Sequence, residues 1–156
     1  MKLALVLMVA LTLPAFAQSS SNAEVFSSKD VQAKLADLVS ISKKAPSGSA
    51  SSVLGGYKTH SLRLVTRTAN GGAEVHGHYD DIMIVISGTA TLITGGTVVD
   101  GHEGKDGEMA GTSIKDGKTQ TISAGDIIHV PAGTPHQMLV SPGTEFTAFV
   151  AKVREE

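Results

Sequence analysis

The sequence predicts an all-β domain, a sandwich or barrel, with one amphipathic helix before it. The chain has 156 residues, which is enough for one ordinary domain. Short runs rich in Val, Ile and Thr recur after residue 56, and Gly-containing turn signals separate them. No segment in that region has convincing helical periodicity. Many short strands with regular glycine punctuation are typical of a sandwich or a barrel.

The composition excludes several classes of protein. Hydrophobic residues make up 41% of the chain and charged residues 18%, a balance typical of a folded domain. The formal net charge of −2 gives no excess of positive charge, so no nucleic-acid partner is expected. Cysteine is absent, which excludes disulfide bonds, thiolate metal sites and a cysteine nucleophile.

The first 17 residues have the pattern of a signal peptide. Lys2 provides a basic start, residues 3–13 form a short apolar run, and Ala15-Phe16-Ala17 resembles a cleavage site. The apolar run is shorter than the roughly 20 residues of a membrane-spanning helix. We therefore predict cleavage after Ala17, export to the periplasm or the cell exterior, and no membrane association after cleavage. An N-terminal helix that stays buried or anchors the chain is the alternative.

One helix is predicted after a polar linker. Ser27 or Ser28 can cap it, and apolar residues between Val31 and Val39 recur at helical spacing. The helix is therefore predicted over residues 28 to about 42. Residues 45–56 are rich in Ser and Gly, and are predicted to form a loop.

The remaining chain is predicted to form the barrel. The predicted strands are 57–67, 73–78, 82–86, 90–94, 97–99, 112–114, 120–122, 127–130, 137–140 and 146–153. Residues 100–111 are rich in Gly and lack an alternating apolar face, so they are predicted to form a mobile loop at the rim, as a lid or partner contact. The predicted organisation is a signal peptide (1–17), a linker with the helix (18–56) and a barrel domain (57–156).

Three histidines lie in two places that can share one site. The two-residue spacing of His76 and His78 puts both imidazoles on one face of a strand. The turn at residues 131–133 follows a predicted strand and carries His136 back toward the sheet interior. Three imidazoles and a carboxylate can surround a metal ion, and these ligands suit Fe, Mn, Zn, Ni or Cu.

This arrangement resembles the cupin family. The second cupin motif is matched in spacing at Gly125, Pro131, Gly133 and His136. The first is matched at His76, His78 and Gly88. Val140 replaces the final Asn of the second motif, and Asn70 stands at the opening Gly of the first. The resemblance covers residues 60–153 and implies a double-stranded β-helix, or jelly-roll barrel, with the metal inside it. It also implies a homodimer.

The resemblance leaves the carboxylate ligand open. Asp81 has the spacing of the family's Glu before Gly88, but only two residues separate it from His78. Asp80 keeps the strand phase of the histidines but misses the spacing to Gly88, and Glu74 also shares that phase. Asp81 is preferred, because the turn between the two strands can absorb a missing residue. The predicted metal site is therefore His76, His78, Asp81 and His136, with Glu74 and Asp80 as the alternative carboxylates.

Two functions fit these predictions. The first is a metal-dependent enzyme that acts on a small molecule, because the ion would polarise an oxygen-bearing substrate or bind O₂ beside it. The resemblance implies an oxygenase, isomerase or lyase that uses Fe, Mn, Zn or Ni, and no general base stands out beyond the ligands. The second function is a non-catalytic small-molecule-binding module of the cell envelope.

Three further residues bear on the surroundings of the site. Arg63 and Arg67 alternate along one predicted strand and can face an anionic ligand, with a solvated face as the alternative. His129 is out of phase with its apolar neighbours, so it is predicted to face outward or to have a structural role.

Overall fold

The computed structural model describes residues 22–155, so the predicted signal peptide lies outside the described residues. Within that range the chain forms one helix and thirteen strands. The strands are β1 (Ser49–Gly56), β2 (His60–Arg67), β3 (Ala73–Val75), β4 (Tyr79–Ser87), β5 (Thr89–Thr94), β6 (Thr97–Val99), β7 (His102–Glu103), β8 (Met109–Gly111), β9 (Ser113–Lys115), β10 (Lys118–Ser123), β11 (Ile127–Val130), β12 (His136–Leu139) and β13 (Phe146–Arg154). The prediction of an all-β domain with one helix is confirmed.

The helix α1 spans Ser28–Ser42, as predicted. Ser27 caps it, because its hydroxyl oxygen accepts a backbone N–H of the first turn at 3.1 Å. Leu35 and Leu38 are buried against Leu64, on the outer face of the sheet. The helix therefore packs outside the barrel, and residues of the strands fill the interior. In the described part of the chain, no helix has the length and apolarity that a membrane crossing requires.

The strands form two facing sheets with antiparallel pairing. The order of the five-stranded sheet is β1-β2-β13-β4-β11, and that of the six-stranded sheet is β10-β5-β12-β3-β8-β7. Strands β6 and β9 form a separate two-stranded ribbon. Each large sheet combines strands from distant parts of the chain, as in a jelly roll. This is the double-stranded β-helix that the cupin resemblance implied.

The core fills the space between the sheets. On β4, Asp81, Met83 and Val85 are buried, whereas Ile82 and Ile84 between them are exposed. Eleven buried apolar residues from both sheets complete the core: Met83, Val85, Ala90, Leu92, Ile122, Val130, Met138, Val140, Phe146, Ala148 and Val150. Because side chains alternate along a strand, Asp81 enters the interior in line with this core.

Two predicted loops contain strands. The loop prediction for residues 45–56 is wrong over Ser49–Gly56, which forms β1 and pairs with β2 along its length. The sequence of this edge strand has no alternating apolar pattern, because backbone hydrogen bonds to β2 are what hold it in place. The stretch 100–111 was predicted to be irregular, but it holds β7 and β8, and β8 pairs with β3.

Candidate metal centre

Four polar side chains from both sheets meet inside the barrel. Glu74 on β3 and His136 on β12 lie directly opposite each other in the strand register. His76 follows two residues after Glu74, just beyond the end of β3. Asp81 approaches from β4, on the facing sheet. These residues are called the polar cluster below: Glu74, His76, Asp81 and His136.

The ligand atoms of the cluster are close together. Oδ2 of Asp81 lies 3.5 Å from Nε2 of His76 and 3.8 Å from Nε2 of His136. Oε2 of Glu74 lies 3.8 Å from Nε2 of His76. One ligand atom each of Glu74, His76 and His136 fall within 4.8 Å of one another. Both carboxylates therefore flank the same pair of imidazoles.

Hydrogen bonds fix which nitrogen of each imidazole faces the cluster. Nδ1 of His76 lies 2.6 Å from Oε2 of Glu108, and Nδ1 of His136 lies 3.1 Å from the Thr134 carbonyl oxygen. A carboxylate and a carbonyl only accept, so each Nδ1 carries the hydrogen and donates it. In the neutral form of each ring, Nε2 then presents its lone pair to the cluster.

His136 is held in its neutral form by its surroundings. Burial lowers the pKa of His136 below its ordinary value, although the hydrogen bond to the Thr134 carbonyl opposes that shift. A neutral imidazole is the form that ligates a metal ion.

Each carboxylate of the cluster also faces one cation. Oδ1 of Asp81 is buried without a hydrogen bond, and Nζ of Lys152 lies 3.6 Å from it. Oε1 of Glu74 lies 3.7 Å from a guanidinium nitrogen of Arg67. The cations offset part of the carboxylate charge, but neither distance is that of a close hydrogen bond.

The structure does not bring His78 to the cluster. Strand β3 ends at Val75, and His78 is exposed in the turn that leads to β4. Gly77 lies in the same turn, in close contact with the backbone of Gly107. The rule that puts two residues on one strand face therefore does not apply to His76 and His78.

Asp80 points away from the cluster. Its Oδ1 accepts the backbone N–H of Ala132 at 2.8 Å, and its Oδ2 lies 3.2 Å from Nε2 of His129. The Ala132 hydrogen bond, followed by the one from His129, lowers the pKa of Asp80. His129 is largely exposed on the outer face, in line with its predicted outward or structural role.

Sequence reasoning missed Glu108. It lies in the stretch predicted to be a rim loop, 32 residues after His76. Strands β3 and β8 pair Val75 with Met109, and the next step of that register sets His76 beside Glu108. Only the pairing of β8 with β3 reveals this contact, and the sequence carried no signal for that pairing.

Three cavities adjoin the cluster, and one of them, of about 250 Å³, is lined by Glu74, His76 and Glu108. A small one of about 80 Å³ lies inside the barrel and is lined by Glu74, Asp81 and His136. A larger, open one of about 520 Å³ is lined by His76 and Glu108, and it joins the cluster to solvent. A separate groove of about 410 Å³ runs along β10 and β11 and contains none of the cluster residues.

Known protein structures share the fold of this chain. No protein-family model matches the sequence. No curated protein is significantly similar to it in sequence. An uncharacterised protein from Klebsiella pneumoniae with a double-stranded β-helix domain is 19% identical, with 85% of this chain and 91% of that one covered and a TM-score of 0.55. The Cnp3 cupin domain of Schizosaccharomyces pombe is 9% identical, with 69% and 61% covered and a TM-score of 0.51.

An enzyme is also among the similar structures. Recombinant oxalate oxidase in complex with glycolate is 17% identical, with 72% of this chain covered and a TM-score of 0.51. This chain spans about half of its length, 54%. These likenesses establish the fold: the chain is a double-stranded β-helix, as the resemblance to the cupin family implied.

Proposed function

We propose that the chain binds one divalent transition metal ion inside the barrel, through His76, His136 and the carboxylate of Asp81 or Glu74. The convergence of two imidazole lone pairs with carboxylate oxygens carries this proposal. Such acceptor atoms repel one another unless a cation or a proton lies between them. The buried Oδ1 of Asp81 also lacks a hydrogen bond, because Nζ of Lys152 lies 3.6 Å from it.

The spacing of the cluster supports a metal ion. Nitrogen and oxygen ligands lie about 2.0–2.2 Å from a transition metal, so two neighbouring ligands lie roughly 3.0–3.6 Å apart. The separations of 3.5 and 3.8 Å between Asp81 and the two histidines are close to that range. Small side-chain movements therefore complete the site. Neutral imidazole and carboxylate suit Fe, Mn, Zn or Ni.

The surroundings of the cluster support an enzyme that acts on a small molecule. A bound ion would polarise an oxygen-bearing group of that molecule. Glu108 fixes the tautomer and orientation of His76 through the Nδ1 hydrogen bond. The 520 Å³ cavity gives a small molecule access to His76. An oxygenase, isomerase or lyase remains the predicted class.

Metal analysis of matched histidine variants tests the proposal. The wild-type protein is offered Fe, Mn, Zn and Ni, desalted, and analysed for bound metal. We expect one equivalent in the wild type and in His129→Ala, which removes an exposed imidazole outside the cluster. His136→Ala should lose the metal and keep the circular dichroism of the barrel. A full equivalent in His136→Ala, or no metal in the wild type, would reject the proposal.

A binding module that works without metal is the second candidate. The cations beside the two carboxylates favour it, because Lys152 and Arg67 offset the charge that an ion would otherwise neutralise. In that case a small-molecule ligand binds equally well before and after chelation. A loss of binding after chelation favours the enzyme.

Export and dimerisation are proposals that rest on the sequence. The signal-peptide pattern supports a mature chain that begins at Gln18, and intact-mass measurement of protein from the native host tests it. A full-length cytoplasmic chain would contradict export. The cupin resemblance supports a homodimer, which the mass in solution would show.

A further inference from the structure

A positively charged cavity opens beside the polar cluster. The lining of the 520 Å³ cavity includes three cations, Lys58, Arg63 and Lys152, and one carboxylate, Glu108. Glu108 already accepts the hydrogen bond of His76. The whole chain has a formal net charge of −2, so this excess of positive charge is local. A concave surface lined by one sign of charge concentrates ligands of the opposite sign.

The strand register places two of these cations on one inner surface. Lys152 on β13 lies opposite Asp81 on β4 and, on its other side, opposite Ser61 on β2. Arg63 lies opposite Val150, so it is the diagonal neighbour of Lys152 on the same face. Diagonal neighbours are about 7–8 Å apart, within reach of long side chains. The two cationic groups can therefore hold one ligand between them, next to the cluster.

Among the described residues, Arg63 has no carboxylate to neutralise it. Arg67, four residues further along the strand and on the same face, pairs with Glu74 at 3.7 Å. In contrast, Nε of Arg63 donates only a long hydrogen bond of 3.4 Å to the Ser61 hydroxyl, and no ion pair of Arg63 occurs within residues 22–155. A guanidinium presents a planar fork of donors that matches a carboxylate or a phosphate.

We infer that Arg63 and Lys152 bind the carboxylate or phosphate group of a small molecule whose other end reaches the polar cluster. The cavity volume of about 520 Å³ lies within the range of small-molecule sites. This inference rests on the proposed function for the role of the far end of the ligand. The contact with the anion itself needs no metal ion.

Titration with simple anions tests the inference. Succinate, inorganic phosphate and uncharged succinamide are titrated by NMR into chelator-treated and Zn²⁺-loaded protein. Wild type should bind succinate or phosphate, and the preferred anion identifies the group. Arg63→Gln should lose about tenfold or more in affinity in both metal states, because a hydrogen bond to a charged group is lost. Lys118→Gln removes a cation on the other sheet and should bind as the wild type does.

The outcomes separate this inference from the proposed function. Three outcomes would overturn the inference alone. They are equal affinity in wild type and Arg63→Gln, binding of uncharged succinamide as tight as that of succinate, and no binding of either anion. If the protein takes up no metal but Arg63→Gln still loses anion binding, the proposed metal site is rejected and the anion site is supported. Thermal unfolding checks that each variant folds. Where Arg63→Gln does not fold, Arg63→Lys and Lys152→Gln carry the same comparison, and each should weaken binding.

Discussion

Replacing Glu108 by Gln should weaken metal binding about tenfold while the barrel stays intact. The Glu108 carboxylate accepts the Nδ1 hydrogen of His76 at 2.6 Å, which is the short distance of a charge-assisted bond. Outer partners of ligating histidines are typically worth about 10- to 100-fold in metal affinity. The Glu108 side chain is 39% exposed, so solvent screens its charge and the lower end of that range applies, about 1.4 kcal/mol.

Competition with a chelating dye at neutral pH measures this change with Zn²⁺. Glu103→Gln is the matched control, because Glu103 is an exposed acid on neighbouring β7. The control should keep the wild-type affinity, and the metal-free forms of both variants should unfold at similar temperatures. If Glu108→Gln binds Zn²⁺ as tightly as Glu103→Gln does, then the carboxylate does not orient His76 for a metal ion.

Three other expectations concern stability. Gly88 has a φ of 83°, and a Cβ there would overlap the Glu145 carbonyl oxygen, so Gly88→Ala should lower the free energy of unfolding by more than about 1–2 kcal/mol. In Gly56→Ala the Cβ meets open space, so urea unfolding should show a smaller loss. Leu64 is 1% exposed under α1, and Leu64→Ala should cost about 2–5 kcal/mol; a loss below about 1 kcal/mol would mean that the helix does not pack there in solution. Burial lowers the pKa of His136, so near pH 6.5 this imidazole takes up a proton in the unfolded chain but stays neutral in the folded chain. As the pH falls from 6.5 toward the lowered pKa, the metal-free protein should lose up to about 1.4 kcal/mol of stability per pH unit relative to His136→Gln, and parallel curves for the two proteins would contradict this.

Local signals predicted most of the secondary structure. The bounds of α1 were predicted, because the signals for it are local in sequence: the cap at Ser27 and the helical spacing of Leu35 and Leu38. Strands β6 and β11 also have the predicted bounds, because apolar and β-branched residues fill them. Strand β1 consists mainly of Ser, Gly and Ala, so its identity depends on pairing with β2 rather than on its own side chains.

The candidate site was predicted where motif spacing determines it. The motifs put His76, Asp81 and His136 in one site, and the structure brings these side chains together; their role as ligands stays a prediction. His78 was included because residues two apart on a strand share one face. In the structure, however, His78 lies in a turn. Glu108 was not foreseen, because the register between β3 and β8 sets its contact with His76 and is not encoded in either segment alone.

One side chain, Lys152, lies next to the proposed metal site and belongs to the proposed anion site. Its ammonium lies 3.6 Å from Oδ1 of Asp81 and also lines the cavity that contains Arg63. A metal ion held by Asp81 would replace Lys152 as the cation beside that carboxylate, which leaves the ammonium available for an anion. A bound anion would in turn draw Lys152 away from Asp81 and leave the carboxylate to the metal. Because such coupling is reciprocal, each ligand should tighten the binding of the other by the same factor.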